Sequence, residues 1–128
     1  TRWMSATEDN PNVSIDMGSS TRMDHLAINY NSGDGSTETQ FLVQTSDDDS
    51  TWTTQRTINL TQLSNGWNYI RFTPVSARYV RVYGTGSSKR LSLRELKVKN
   101  SISDTTLYET HGHKTISTTD TSIGLNGN

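Results

Sequence analysis

The feature that most constrains this chain is its period-two rhythm. Short runs of alternating apolar and polar residues recur from Val13 to Val98, and Gly, Asn, Asp and Ser clusters close them. Val13 and Ile15 alternate with polar neighbours up to Met17-Gly18. Met23 to Tyr30 carries Leu26, Ile28 and Tyr30 on one face, and Gln40 to Ser46 carries Phe41 and Val43. Thr51–Asn59, Trp67–Val75, Ala77–Tyr83 and Leu91–Val98 continue the pattern, with Pro74 where one run meets the next. No window holds an i, i+3, i+4, i+7 apolar stripe, so helices are not expected. The apolar parity changes between Leu93 and Leu96, which predicts a bulge there. Turn chemistry at Asn31–Ser36, Asp47–Ser50, Ser64–Gly66 and Gly84–Ser88 separates the runs. Strands at this spacing predict an all-β, antiparallel sandwich or barrel.

The chain has 128 residues, a size for one domain with a real core. Only 30% of residues are apolar, but three Trp, five Tyr and two Phe sit in blocks with β-branched residues, unlike a disordered chain. A net charge of -1 argues against nucleic acid as partner, because duplex binding needs a concentrated basic surface. No apolar run approaches the ~20 residues of a membrane span. The absence of Cys excludes a disulfide scaffold, a thiolate zinc site and a cysteine nucleophile. Residues 101–128 are rich in Ser, Thr and Gly with scattered apolar residues, and read either as a linker or as one or two further strands.

Several local patterns fall in a recognisable order. They are T-R-W-M-S at 1–5, V-S-I-D-M-G at 13–18, F-L-V-Q-T-S-D-D-D-S-T-W at 41–52, F-T-P-V-S-A-R-Y-V-R-V at 72–82 and L-S-L-R-E-L-K-V at 91–98. Together they resemble the discoidin, or coagulation factor 5/8 type C, superfamily, and most of all bacterial family 32 carbohydrate-binding modules. The resemblance covers about residues 1–100. It implies a discoidin-like antiparallel jelly-roll β-sandwich of about eight strands. Members usually carry an opening segment with a D-G-D or D-G-N turn before T-R-W. Here the tail, 115–128, resembles that segment, with Asn126-Gly127-Asn128 at the turn. The expectation is one domain whose 101–128 tail completes the 1–100 core, as a circularly permuted first strand or as one swapped into a dimer.

Catalysis needs convergent titratable groups, and few are evident. His25 lies among apolar neighbours and reads as a packed or edge residue. His111-Gly-His113 is a bare H-x-H, too little for a metal site. Asp47, Asp48 and Asp49 read as a solvated turn. The resemblance implies a structural Ca2+ held by Thr1, Glu95, Asn126 and Asn128, with Asn in place of the usual Asp weakening the site. It also implies glycan binding by loops at one end of the sandwich: Asn31–Thr37, Gly84–Arg90 and Thr118–Gly127, flanked by Asn59–Trp67. Sugars need an aromatic platform and planar polar groups. Tyr30 and Trp67 are the candidate platforms, and Asn31, Asp34, Lys89 and Arg90 the candidate polar contacts. Lys89-Arg90 points toward an acidic sugar, because Arg binds carboxylates in bidentate fashion, while the resemblance equally allows a galactose-type or amino sugar.

The resulting expectation is a non-catalytic carbohydrate-binding module of a secreted polysaccharide lyase or glycoside hydrolase. Its partner is a polysaccharide or oligosaccharide, without nucleic acid or membrane insertion. The alternative is a discoidin-type adhesion or phospholipid-binding domain, but that use needs apolar loop tips, and these tips are Gly, Ser, Asp and Asn.

Overall fold

A computed structural model of the chain describes residues 3–5, 7–101, 105–109 and 115–116. The strands are β1 (Trp3–Ser5), β2 (Asn12–Tyr30), β3 (Gln40–Ser46), β4 (Thr53–Asn59), β5 (Gly66–Gly84), β6 (Ser92–Leu93), β7 (Glu95–Asn100), β8 (Thr105–Glu109) and β9 (Thr115–Ile116). They form a six-stranded sheet, β4-β3-β5-β2-β7-β8, and a three-stranded sheet, β6-β1-β9. This is the expected all-β architecture, with most of the pairing antiparallel.

Two pairs of runs that read as separate short strands are continuous. β2 joins Val13–Gly18 to Met23–Tyr30, and β5 joins Trp67–Val75 to Ala77–Tyr83; each long strand has 19 residues. Their antiparallel pairing breaks register between Asp16 and Thr21 and between Met23 and His25. Those irregularities bend both strands and reset the side-chain parity. Val13, Ile15 and Met17 are buried before the bend, and Leu26, Ile28 and Tyr30 after it. β3 pairs with the C-terminal half of β5, and β7 with the C-terminal half of β2. The two halves close on a single core that includes Phe41, Val43, Ile70, Val80, Val82, Leu96 and Val98. Each such side chain contributes about 1.5–3 kcal/mol by leaving water.

The bend in β2 has local causes. Gly18 adopts φ +85°, open to Gly without strain. Its N–H donates to Asp16 Oδ1 at 2.8 Å, and Arg78 grips both Asp16 oxygens at 2.8 and 3.0 Å. The Arg78 hydrogen bond, aided by the Gly18 amide, holds the Asp16 carboxyl below the usual carboxylate range. Pro74 lies between Arg71 and Val75, in the stretch where β5 has no ladder partner on β2 and no N–H is needed.

The parity change after Leu93 is a switch of sheets rather than a bulge within one strand. β6 pairs with β1, the chain turns at Arg94, and β7 pairs with β2. The Arg94 N–H donates to the Asn29 carbonyl at 2.8 Å across that turn. β8 pairs antiparallel with β7, and β9 pairs parallel with β1, so the described parts of the tail add strands to the chain's own sheets. Residues 117–128, on which the permutation depends, lie outside the described residues.

Beside the bend, Asp24 ties the end of β7 to β2. It is 7% exposed and accepts from the Ser101 amide, the Ser101 hydroxyl, Arg22 and His25 Nδ1, the last at 2.7 Å. Burial pushes this carboxyl up, but the Ser101 and His25 hydrogen bonds outweigh it and hold the group well below the usual range. His25 is the packed residue its apolar neighbours implied.

Candidate functional site: the loop end of the sandwich

The strand directions bring 7–11, 31–39, 60–65 and 85–91 to one end of the molecule. Hydrogen bonds between loops fix their positions. Glu8 and Lys89 exchange backbone bonds at 2.9 Å in both directions, and Asn10 N–H donates to the Gly86 carbonyl at 2.8 Å. Thr37 and Glu38 both donate to the Arg90 carbonyl, and Leu60 donates to that of Thr39. Ser32 N–H donates to Asn65 Oδ1 at 2.8 Å, which docks 60–65 against 31–39. Asn10 and Ser88 sit in the left-handed region, at φ 51° and 53°. That conformation suits Asn but strains Ser88, whose N–H is held by Asp9 Oδ1 at 2.9 Å.

Glu38 is the internal brace of this end. It is 3% exposed. One carboxylate oxygen accepts from Thr39 N–H at 3.0 Å and Gln40 N–H at 3.4 Å, and the other from Gly86 N–H at 3.1 Å. Close approach requires glycine opposite it: a Cβ on Gly84 would lie 2.5 Å from Glu38 Oε2 and 2.9 Å from the Pro11 carbonyl oxygen.

The residues read from the sequence as sugar contacts have different fates. Tyr30 is only 8% exposed and belongs to the core, because it shares the inward face of β2 with Leu26 and Ile28, so it offers no platform. Asn31 accepts from Gly33 N–H at 2.8 Å and caps the short 3-10 turn Ser32–Asp34. Asp34 is buried, and Arg94 binds both its oxygens at 2.9 and 3.1 Å, so it orders the loop. Arg90 donates from Nε and Nη2 to the Gly35 carbonyl at 3.0 and 2.7 Å. Lys89 is half-buried beside Glu8. Trp67 pairs with Asn29 and faces out of the sheet.

The structure thus gathers Asn31, Asp34, Lys89 and Arg90 at one end, buries Tyr30 in the core and turns Trp67 onto the outer face of the sheet. It adds Glu8 and Asp9, which the sequence reading passed over. The signal was the E-D-N-P turn before β2, but only the pairing with 85–91 shows where it lies. Thr118–Gly127, the third expected loop, lies outside the described residues. So do Thr1, Asn126 and Asn128 of the implied calcium set. Glu95 is half-buried on β7, and among the described residues no three His, Asp or Glu side chains gather around a metal position. The exposed Asp47–Asp49 segment is a turn held by itself, with Asp48 Oδ1 accepting from Ser50 and Thr51 N–H at 2.9 and 2.8 Å.

What gathers at the loop end is a set of carboxylates, cations and hydroxyls, without an aromatic ring on 7–11, 31–39, 60–65 or 85–91. Such a surface suits hydrogen bonding to a polyhydroxylated ligand. Known proteins fit this frame. Chitosan-binding module 1 of a chitosanase/glucanase from Paenibacillus sp. IK-5 is 32% identical, with a TM-score of 0.62 over 78% of this chain and 76% of that one. Module 2 of that enzyme, solved with chitotriose, is 28% identical, with a TM-score of 0.63 and 78% of each chain covered. The CBM32 of AlyQ, solved with 4,5-unsaturated mannuronic acid, is 25% identical, with a TM-score of 0.63 over 77% of this chain and 76% of that one. No curated protein matches the chain. The sequence profile of the F5/8 type C family, described as a NedA-like, galactose-binding domain, matches residues 1–82. With that match over more than half its length and its fold shared with such modules, the chain belongs to the F5/8 type C family of galactose-binding-like domains.

Proposed function

We propose that this domain is a non-catalytic carbohydrate-binding module of family 32 type, working as part of a larger secreted protein. It holds a tethered polysaccharide-degrading enzyme on its substrate. The observation that carries the reading is the hydrogen-bonded loop end, where Glu8, Asp9, Lys89 and Arg90 from separate segments are held at one rim. Family membership and the similarity to chitosan-binding modules support it.

Tethering raises the local concentration of a catalytic domain at the polymer, so modest affinity at one site is enough. The affinity is modest because sugar hydroxyls exchange bonds with water and bury little apolar area. Lys89 and Arg90 favour an acidic glycan, whereas Glu8 and Asp9 suit an amino sugar.

Native affinity electrophoresis through gels containing chitosan, alginate or neutral galactan tests both the function and the ligand class. Retardation by at least one polymer, reduced in Lys89→Ala, is the expected result. Migration unchanged in every polymer overturns the reading. Calcium binding by Thr1, Glu95, Asn126 and Asn128 is a separate proposal. Melting with CaCl2 and with EDTA tests it: a higher Tm with calcium, abolished by Glu95→Gln, is the expected result, and identical curves refute it.

A further inference from the structure

The two large hydrophobic side chains most exposed among the described residues are not on the loops. Trp67 is 37% and Tyr69 59% exposed, and both lie on the outer face of β5. Being i and i+2 on one strand, they stand about 7 Å apart along it. The pairing of β5, β2 and β7 builds rows on this face: Trp67–Asn29–Glu95, Tyr69–Ala27–Lys97 and Arg71–His25–Lys99. Small Ala27 lies beside Tyr69 on β2, and the Tyr69 ring centre is 6.5 Å from that of His25, tilted by 57°. Lys97 reaches over β2 and places Nζ 4.7 Å from the centre of the Trp67 ring.

Cations border the rings. Arg71 and Lys99 occupy the next row, and at the edge of β5 Arg56 Nη1 donates to the Arg71 carbonyl at 2.6 Å. The described carboxylates here are Glu95, beside Asn29, and the buried Asp24, which is held by His25 and Ser101. Arg71, Lys97 and Lys99 outnumber them. A face of two exposed rings among cations is too small and too charged for a stable protein interface, which needs roughly 800 Å² per partner with an apolar centre. Ring faces suit the C–H faces of sugars, and adjacent cations suit carboxylates.

We propose that this sheet face is a second glycan-binding surface, on which Trp67 and Tyr69 carry successive residues of an acidic polysaccharide whose carboxylates meet Arg71 and Lys97. The strip starts at the rim, since Gly66 pairs with Tyr30 immediately before loop 31–39. The inference stands on the exposed rings and their cations, not on the loop-end reading.

The test is affinity electrophoresis of the full chain in sodium alginate, at low and moderate salt, with Tyr69→Ala, Arg71→Gln and Lys89→Ala. Tyr69 and Arg71 are exposed, so both substitutions are compatible with folding, and a melting curve checks each. Tyr69→Ala and Arg71→Gln should each weaken alginate binding roughly 3- to 10-fold, with retardation by chitosan at the loop end unaffected. Alginate binding that survives both substitutions, or falls only in Lys89→Ala, overturns the proposal. So does a parent chain that alginate does not retard; chitosan retardation in that case leaves the loop-end reading standing. Concentration-dependent mass in light scattering, lost in Tyr69→Ala, overturns it in favour of self-association.

Discussion

Replacing Glu38 by Gln tests whether one buried carboxylate organises the loop end. The two side chains have nearly the same shape, so packing is preserved. The carboxylate accepts on both oxygens: Thr39 and Gln40 N–H on one, Gly86 N–H on the other. The amide has a single oxygen. If it faces Thr39 and Gln40, its NH2 confronts the Gly86 N–H, donor against donor; the flipped amide strands the other pair. At 3% exposure water has no ready access to repair the loss. A hydrogen bond to a charged acceptor contributes about 1.5–3 kcal/mol, and an unsatisfied buried donor costs a similar amount. The 3.4 Å bond to Gln40 is long and contributes little. The expected destabilisation is therefore about 2–3 kcal/mol, a fall in Tm on the order of 10 °C for a domain of this size. Urea denaturation at neutral pH measures it, and glycan affinity should fall in parallel although Glu38 is buried beneath the loops. A Glu38→Gln variant within about 0.5 kcal/mol of the parent refutes the brace, since that is the range of ordinary surface substitutions.

Gly84→Ala should destabilise by about 1–3 kcal/mol, because its Cβ would meet Glu38 and the Pro11 carbonyl; a parent-like urea midpoint refutes the close approach. Asp24 is held below the usual carboxylate range, so its stabilising contribution is complete above the unfolded-state pKa and is lost as pH falls toward the lowered folded value. Asp24→Asn should lower stability at neutral pH and flatten the acid limb below about pH 4; urea midpoints at pH 7 and pH 3 decide, and an equally steep limb in the variant refutes the assignment. Deleting residues 104–128 removes β8 from the edge of β7 and β9 from β1, and should lower Tm; an unchanged melting curve shows that these pairings contribute nothing.

The sequence alone determined the class of this protein. Period-two alternation and turn chemistry are local properties, and they mark where strands run and where loops fall. The order of T-R-W, V-S-I-D-M-G and S-L-R-E pointed to the family. The tertiary structure decided what local pattern cannot carry. Whether Val13–Gly18 and Met23–Tyr30 are separate strands or one bent strand depends on the register breaks against β5. Asp34 meets Arg94 across a separation of 60 residues, and Asp9 meets Ser88 across 79, so neither pairing is visible until the strands close. Tyr30 and Trp67 are aromatics at the ends of apolar runs, alike in sequence. The fold buries one and turns the other outward, because adjacent strands put Tyr30 on the inner face and the partner of Asn29 on the outer. Alternation fixes that two faces exist; only the packing of the whole sandwich fixes which one meets water.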